Sequence, residues 1–536
     1  MFNRKLFGGH TLSGTLGMSA YRTGTYTQTV EGWNIEQYKA LEHSINTAPN
    51  SRIAYSEIES STLSWFLRAV YNFKDRYILT GTYRIDGSSK FKGKNKFAHF
   101  PSFAFAWRFT EEPWFNADIF SNGKLRLGWG QVGNQAISAY RTLSNYNSDK
   151  VPSHSVPDSE SFIGLFPSNL ANPNLKWETT EQYNIGLDAG LWKGRVTLTI
   201  DAYHKLTKDL LQTKRISSSS GYTTIWVNEG SISNSGIELS LEVVPVSTRK
   251  FEWVVGGNIS FNRNKIVSID QSAAAKKIFT DKSGTTMDAV YFLGSSIGSG
   301  SLANFPANIF IEGQPLGLFY VWPTDGIVPA GETGVPIGDG RERTPEGSIN
   351  YLDMNKNGYI DNEDRTICGD PNPDFIYGFN STLSYKNFSF NIGFAGSYGN
   401  DILNVNAISE DNICYYKQNH SARSYHNAWT AENPTNYPSL TASKNEDRVF
   451  ITDRFIEDGS FLRLSNLSLS YTFKFKNKAV RNLTLTAAAR NLWVWSNYSG
   501  WDPEVNSYGN NILKMGLDVG SYPTARTFSF DVKFTF

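Results

Sequence analysis

The chain has 536 residues, of which 40% are hydrophobic and 14% aromatic, and its 51 Lys and Arg residues nearly balance its 50 Asp and Glu residues. This balance argues against a nucleic-acid partner, because proteins that bind nucleic acids usually carry a basic excess. No run approaches the roughly 18 consecutive apolar residues of a transmembrane helix. The mean hydropathy of −0.38 remains compatible with a membrane β-barrel, in which only alternate strand residues face lipid.

Apolar and polar residues alternate along most of the chain, a pattern that indicates β-strands with two different faces. Leu63, Trp65 and Leu67 share one face of an early strand, and Phe530 and Phe534 share one face of the last strand. We predict about 14 strands of membrane-spanning length. Their ranges are 11–21, 62–73, 76–86, 99–109, 123–132, 177–191, 195–206, 232–244, 251–262, 374–385, 387–398, 460–473, 482–495 and 524–536. The predicted fold is all-β, an antiparallel transmembrane β-barrel wall with an aromatic outer face and a polar inner face.

Short and long connections alternate between the predicted strands. The long connections are 22–61, 87–98, 133–176, 207–231, 263–373, 399–459 and 496–523. Short turns on one side and long loops on the other are typical of bacterial outer-membrane barrels, whose long loops lie outside the cell. We therefore expect 263–373 to be a long extracellular loop region. A soluble sandwich or propeller is the alternative, but the chain has no propeller-like repeat, and sandwiches rarely have such long loops at every second connection.

The segment 353–364 has the spacing of a calcium-binding loop. Its candidate ligands fall at loop positions that supply oxygen atoms in such loops, and they are Asp353, Asn355, Asn357, Tyr359 (through its backbone carbonyl), Asp361 and Asp364. Gly358 permits the sharp turn that winds these oxygens around one point, so the expected cofactor is Ca²⁺. The last ligand is Asp rather than the usual Glu, which favours a modest affinity. An Asx-rich solvated loop is the alternative interpretation.

The sequence contains no catalytic motif: neither H-E-x-x-H, nor G-x-S-x-G, nor a Walker loop is present, so we do not predict an enzyme. Aromatic residues of the long connections are the candidate contacts for a ligand or for a lid protein, and they are Trp226, Tyr320, Trp322, Trp429 and Trp501. Aromatic faces beside Asn and Asp residues suit sugar rings, and they also suit a protein interface. Membrane-girdle positions are the alternative for such residues.

Several segments together resemble one family, the SusC/RagA branch of TonB-dependent outer-membrane transporters. They occur in that family's order along nearly the whole chain, and they are NPNLKWETTEQYNIGLDAGL at 172–191, DAYHKLTKDLL at 201–211, EGSISNSGIELSLEV at 229–243, NISFNRNKI at 258–266, GDPNPD at 369–374, EDGSFLRLSNLSLSY at 457–471 and GWDPE at 500–504. One such string would carry little weight, but this number of strings in order is specific.

The resemblance implies a position within a larger fold. Family barrels have about 22 strands around a plug, and the family's chains begin with a signal peptide, a TonB box and that plug. Residues 1–536 would then be the C-terminal part of the barrel, without those segments, and strand 11–21 would expect a neighbour before it.

The resemblance also implies a function and partners. The function is TonB-dependent import of a nutrient, a glycan or oligosaccharide, across the cell outer membrane of a Gram-negative, Bacteroidota-like bacterium. The implied partners are a SusD-like surface lipoprotein, the TonB complex through the N-terminal region, outer-membrane lipids, and the barrel-assembly machinery that would read the C-terminal Phe536. The alternative is a truncated barrel remnant that does not transport and has a structural or surface-binding role.

Overall fold

The computed structural model describes most of the chain. The described residues are 2–5, 7–34, 48, 50–151, 162–269, 275–280, 285–298, 305–411, 419–440, 450–475, 480–505 and 507–536. Among them, no helix is both long and apolar enough to cross a membrane.

One large antiparallel sheet dominates the described part of the chain, and each of its strands pairs with the next one along the sequence. Its 15 strands are Phe2–Lys5, His10–Trp33, Asn50–Phe73, Tyr77–Ser88, Phe97–Trp107, Phe120–Asn134, Glu178–Leu191, Val196–Lys208, Ser231–Ser247, Phe251–Ser268, Phe375–Tyr385, Phe388–Tyr398, Phe461–Lys474, Asn482–Ser496 and Thr527–Thr535. Every predicted strand overlaps one of them, and Phe2–Lys5 is additional. The predicted all-β fold class is confirmed.

Tight turns join the strands at one end. Lys74 and Asp75, the expected turn residues between two strands, both have positive φ angles of 52° and 55°. This conformation fits a type I′ turn, whose twist matches that of the flanking strands. The strands Phe375–Tyr385 and Phe388–Tyr398 are joined by only two residues and pair from Tyr385↔Phe388 outward.

Two strands are longer than predicted. His10–Trp33 and Asn50–Phe73 pair continuously from His10↔Phe73 to Trp33↔Asn50. The prediction of a long connection over 22–61 is therefore wrong for much of that range. Thr, Tyr, Val and Ile residues, which favour strands, continue through both segments. A strand of a membrane barrel can continue beyond the membrane, so the length needed to span the membrane does not predict where the strand ends.

Large apolar side chains lie exposed at alternate positions of the sheet. In the last strand the side chains of Phe528, Phe530 and Phe534 are 73%, 68% and 53% exposed. In the strand beside it, Trp493 and Trp495 are about half exposed. Alternating apolar residues of this kind face lipid in outer-membrane barrels.

Polar side chains link neighbouring strands across the sheet. Asn391 Nδ2 donates to Thr382 Oγ1 at 2.8 Å, and Asn466 Nδ2 donates to Asn391 Oδ1. Cross-strand hydrogen bonds of this kind satisfy polar groups that alternate with the apolar ones.

The chain divides into two compact units, and the first comprises Met1–Trp107, Arg126–Tyr183 and Lys205–Ser231. Outside the large sheet this unit contains two hairpins, Asn145–Val151 with Phe162–Asn169 and Leu211–Arg215 with Thr224–Asn228. Its buried cluster is formed by Phe91, Phe100, Ile137, Leu175 and Trp177.

The second unit comprises Arg108–Leu125, Asn184–His204 and Ile232–Phe536. Its long connections fold into additional structure. They contain a five-stranded sheet (Ala275–Thr280, Thr286–Leu293, Asn308–Ile311, Leu318–Val321, Thr366–Gly369), a two-stranded sheet (Thr324–Ile327, Ile349–Tyr351), a three-stranded sheet (Asp401–Asn404, Ile456–Asp458, Leu517–Asp518) and the helices Val405–Asp411 and Ala422–His426. The segment 263–373, expected as a long extracellular loop region, therefore contains ordered strands, and its extracellular position stays a prediction.

The hydrophobic core of the second unit lies in these folded connections. Its fully buried side chains include Trp322, Phe310, Phe319, Leu403 and Ile451. Because such side chains are buried against one another, the connections form a packed layer of their own. A hydropathy pattern read only for membrane strands does not reveal this layer.

Candidate functional site

The predicted metal loop lies between Ile349–Tyr351 and Thr366–Gly369, in the folded part of the connection 263–373. It turns sharply at Lys356 and Gly358, which have φ angles of 60° and 91°. The glycine was expected at this point because a side chain there would strain the left-handed backbone. The loop ends in a short 3₁₀ helix, Asn362–Asp364.

Carboxylate oxygens of the loop accept backbone N–H groups from within it. Asp353 Oδ2 accepts from Gly358 N at 2.8 Å, and Asp353 Oδ1 accepts from Asn357 N at 3.2 Å. At the other end, Asp364 Oδ1 accepts from Met354 N at 2.8 Å, and its Oδ2 accepts from Asp361 N at 2.7 Å. Asp364 thus joins the beginning of the loop to its end.

The remaining predicted ligands belong to the same network. Asn355 Oδ1 accepts from Asn357 N, Asn357 Oδ1 accepts from Tyr359 N, and Asn357 Nδ2 donates to Asp361 Oδ2 at 3.1 Å. The structure therefore winds all the predicted side-chain ligands into one turn. In the described part of the chain, no three His, Cys, Asp or Glu side chains are gathered closely enough to hold a metal by themselves. A cation here would need the amide and carbonyl oxygens as well.

Asp364 is the most unusual of these carboxylates because it is fully buried. Burial raises the pKa of Asp364, although the backbone hydrogen bonds from Asp361, Asn355 and Met354 oppose the rise. No described cationic side chain forms an ion pair with it. A buried carboxylate whose charge is met only by backbone dipoles suits a cation, so the donor chemistry fits Ca²⁺.

Trp322 anchors this loop to the hydrophobic core. Its side chain is 1% exposed, and its Nε1 donates to the Asp361 carbonyl at 2.7 Å. It packs with Ile360 of the loop and with Tyr351 and Phe450. The hydrogen bond and the packing together position the loop on the core of the second unit.

Arg365, the residue after the loop, is a buried cation that the sequence did not mark. Its guanidinium carbon lies 4.5 Å from the ring centre of Tyr320 and 4.9 Å from that of Trp322. Its Nε donates to the Tyr320 carbonyl at 3.2 Å, and burial lowers the pKa of Arg365 to about 10. Cation–π contacts and carbonyl acceptors thus stabilise the buried guanidinium charge.

The five aromatic candidates occupy different environments. Tyr320, Trp322 and Trp429 are 4%, 1% and 6% exposed, so they lie in the core and present no face to a ligand or a lid protein in this structure. The expectation of direct contact is corrected for these three, because the connections that carry them fold into a packed layer. Trp226 is half-buried and Trp501 is 80% exposed, and for these two the expectation stays a prediction.

A second relationship joins two motifs that are far apart in the sequence. Arg463 of the strand Phe461–Lys474 lies beside Asp502 and Glu504 of a long connection, with Nη2–O distances of 2.6 Å and 3.2 Å. In the sequence, the only indications of this contact are a single arginine within an apolar stretch of a strand and two acidic residues after Trp501. Spacing alone could not pair them.

The comparisons with known proteins agree with this architecture. A family profile described as "TonB dependent receptor-like, beta-barrel" matches residues 2–492, and the chain belongs to this family. The family comprises receptors and transporters rather than enzymes.

Individual relatives cover nearly all of the chain. It is 32% identical over 550 residues to the TonB-dependent receptor P3 of Formosa agariphila, a match that covers 99% of this chain and 51% of that protein. It is 29% identical over 515 residues to the TonB-dependent receptor SusC of Bacteroides thetaiotaomicron, covering 94% of this chain and 46% of SusC. The chain spans about half the length of the curated relatives it matches.

A solved structure shares the fold. The structure of the RagAB peptide transporter matches with a TM-score of 0.78 at 21% identity, over 100% of this chain and 54% of the other. The resemblance to SusC and RagA that the motifs indicated is thereby confirmed.

Proposed function

We propose that this chain supplies barrel wall and outer connections to a transporter that imports a nutrient across the outer membrane of a Bacteroidota-like bacterium, with energy from the TonB complex. The observation that carries the proposal is the large sheet, whose short turns alternate with long, folded connections in a chain of the TonB-dependent receptor family. Lipids would contact the exposed apolar side chains of the sheet, and the barrel-assembly machinery would insert it.

The proposed partner on the outer side is a SusD-like lipoprotein, and the proposed nutrient is a glycan or oligosaccharide. The relative named SusC supports this assignment. Trp501 is exposed in the connection between the last two strands, where its ring is free to contact a sugar or the lipoprotein.

The proposed cofactor is one Ca²⁺ in the loop 353–364. It would be held by oxygens of Asp353, Asn355, Asn357, Asp361 and Asp364 and by the Tyr359 carbonyl. When bound, the ion would provide the buried Asp364 carboxylate with a positively charged partner. Because the loop stands on Trp322 and Ile360, the ion would stabilise the folded connection rather than take part in transport.

Gene deletion tests the import function. A strain without the gene that encodes this chain would be grown on a panel of single oligosaccharides and peptides, and complemented with the complete gene. We expect loss of growth on one oligosaccharide, restored by complementation but not in a strain that lacks TonB. Unchanged growth on every nutrient would contradict import and would favour the non-transporting alternative.

A further inference from the structure

A cleft of about 250 Å³ lies in the folded connections of the second unit, and polar and apolar side chains both line it. Its walls come from three connections that are distant in sequence, and the side chains that matter here are Asp411, Arg423, Asn436, Tyr437, Arg454 and Glu457. Ligand sites of whole drug-sized molecules are usually about 300–1,000 Å³. This cleft would therefore take one small part of a larger ligand.

Two of its charged side chains are neutralised within the protein. Arg423 Nη2 lies 2.7 Å from Asp411 Oδ2, and Arg423 Nε lies 3.1 Å from the same oxygen. Ser421 Oγ also donates to Asp411. Because this pair satisfies itself, it presents little net charge to the cleft.

Both carboxylate oxygens of Glu457 accept hydrogen bonds within the protein as well. Its Oε2 accepts from Ser499 N at 2.7 Å, and its Oε1 accepts from Ser499 Oγ at 2.7 Å and from Asn404 Nδ2 at 3.0 Å. These bonds hold the carboxylate against the wall of the cleft.

Arg454 is different, because no described carboxylate lies within ion-pair distance of it. Its Nη1 donates to Asn436 Oδ1 at 2.8 Å, and its Nη2 donates to the Asn436 carbonyl. Its Nε is buried and has no hydrogen-bond partner. Burial lowers the pKa of Arg454, so the charged form is held at a cost. A guanidinium in such a place is usually paired with an anion.

We propose that this cleft binds a carboxylate group of the imported ligand, with Arg454 as its anchor. The planar guanidinium has donors still available, and it matches the two oxygens of a carboxylate. Tyr437 also lines the cleft. The proposal rests on the proposed import function, which it deepens by making the ligand acidic. The carboxylate would come from a uronate sugar or from the C-terminus of a peptide.

Binding measurements with matched ligands test this assignment. The purified full-length protein would be titrated calorimetrically with a galacturonate oligosaccharide and its methyl-esterified counterpart, and with a short peptide and its C-terminally amidated counterpart. We expect one of the two free acids to bind and its neutral counterpart to bind at least about tenfold more weakly, since hydrogen bonds to charged groups are the strong ones. The acid that binds identifies the source of the carboxylate.

Variants locate the binding in the cleft. Arg454→Gln should weaken binding of that acid by about 10- to 100-fold. Arg454→Lys keeps the positive charge and serves as the test if the glutamine variant does not fold. It should also weaken binding of the acid, because lysine lacks the planar guanidinium that pairs with both carboxylate oxygens. Arg341→Gln removes an exposed arginine elsewhere in the long connections and should leave affinity unchanged.

The outcomes separate this proposal from the import function. If neither acid bound better than its neutral counterpart, or if both Arg454 variants bound as the wild type does, the carboxylate site would be wrong. TonB-dependent growth on a neutral nutrient would in that case leave import intact. Conversely, if an acid bound in an Arg454-dependent way but the protein supported no growth on any nutrient, the carboxylate site would be supported and the import function would be contradicted.

Discussion

Arg463 and Asp502 form a buried ion pair in which Arg463 Nη2 lies 2.6 Å from Asp502 Oδ1, and their side chains are only 5% and 8% exposed. Asp502 also accepts the backbone N–H of Thr524 at 2.9 Å and that of Glu504 at 3.0 Å. One carboxylate thus ties a strand of the large sheet to the connection that leads into the last strand. This explains why an arginine stands in an otherwise apolar strand stretch.

Removing one partner of this pair should destabilise the protein. Asp502→Ala removes the buried carboxylate and leaves the buried Arg463 charge only the exposed Glu504, 3.2 Å away, so the loss should approach the roughly 3–5 kcal/mol that breaking a buried pair costs. The free energy of unfolding in urea, measured in detergent micelles, would show it. The exposed pair Arg22–Glu59 provides the control, since Glu59→Ala should change little. Equal effects of the two variants would contradict the role of burial.

The same pair should make stability depend on acidic pH. Burial tends to raise the pKa of Asp502, but its hydrogen bonds from Glu504 and Thr524 and its contact with Arg463 lower it more, so the pKa lies below the ordinary 3.8. The stabilisation is therefore present above pH 3.8 and is lost as pH falls through the depressed value. Unfolding curves between neutral and strongly acidic pH should show this loss in the wild type and a smaller one in Asp502→Asn.

Two glycines of the sheet make room for asparagines on the neighbouring strand. Gly378 lies opposite Asn258, and Gly256 lies opposite Asn380. A Cβ atom added at Gly378 would come within 2.4 Å of Asn258 Oδ1. Gly378→Ala should therefore destabilise the sheet by about 1–3 kcal/mol, the usual range for overpacking.

The controls for this prediction are internal to the chain. Gly81 is also a strand glycine, but a Cβ atom added there would meet nothing within 4 Å, so Gly81→Ala should be tolerated. Adding Asn258→Ala to Gly378→Ala should recover stability. Urea unfolding of all three proteins is the measurement, and failure of the second change to recover stability would mean that the close approach is not the cause.

Calcium should stabilise the folded connections through the loop 353–364. We expect Ca²⁺ to raise the unfolding temperature of the protein by a few degrees over a chelator-treated sample, because a ligand that binds only the folded state stabilises it. Asp353→Ala should abolish the increase, whereas Asp339→Ala, an exposed acid nearby, should retain it. An increase that survives in Asp353→Ala would place the cation elsewhere.

The pH dependence of this effect follows from Asp364. The pKa of Asp364 is raised above the ordinary 3.8, so the folded protein favours the protonated carboxyl. Without a cation, the folded protein should therefore lose stability as pH rises from 3.8 through that raised pKa. Ca²⁺ favours the charged carboxylate, so the calcium-dependent gain should grow over the same rise in pH.

The same substitution should reduce stability at Trp322 and leave it nearly unchanged at Trp501. Trp322→Phe leaves the Asp361 carbonyl without its donor, which should cost about 1–3 kcal/mol of stability and weaken calcium binding. Trp501→Phe, at a residue that is 80% exposed, should leave the unfolding free energy within about 0.5 kcal/mol. Calorimetric unfolding with and without Ca²⁺ would compare the two variants, and equal losses would show that burial does not separate their roles.

The sequence predicted the large sheet well, because each strand carries its own period-2 signal and needs no knowledge of its neighbours. It also predicted the turn at Lys74 and Asp75 and the glycine of the metal loop, which are local features. The layer formed by the long connections was missed because its short strands, such as Leu318–Val321, are buried on both sides and do not alternate.

The same limit explains the errors at individual residues. Trp322 lies in a long connection, and its sequence position alone is equally compatible with a ligand contact and with a core residue. Arg365, Arg454 and the partner of Arg463 depend on contacts between residues far apart in the sequence, which no spacing rule provides. A charged residue inside an apolar stretch was the available signal.

The membrane topology of the sheet is the central claim, and cysteine labelling in cells tests it most directly. In a background with Cys368→Ser and Cys414→Ser, the variant Trp501→Cys places a thiol in a long connection, and Trp114→Cys places one in the connection 108–119, at the end of the sheet that carries the tight turns. Both positions are exposed. We expect a membrane-impermeant maleimide to label the first variant in intact cells and the second only after the outer membrane is opened. Labelling of Trp114→Cys, but not of Trp501→Cys, in intact cells would contradict the proposed orientation, and equal labelling of both would contradict a membrane-spanning sheet.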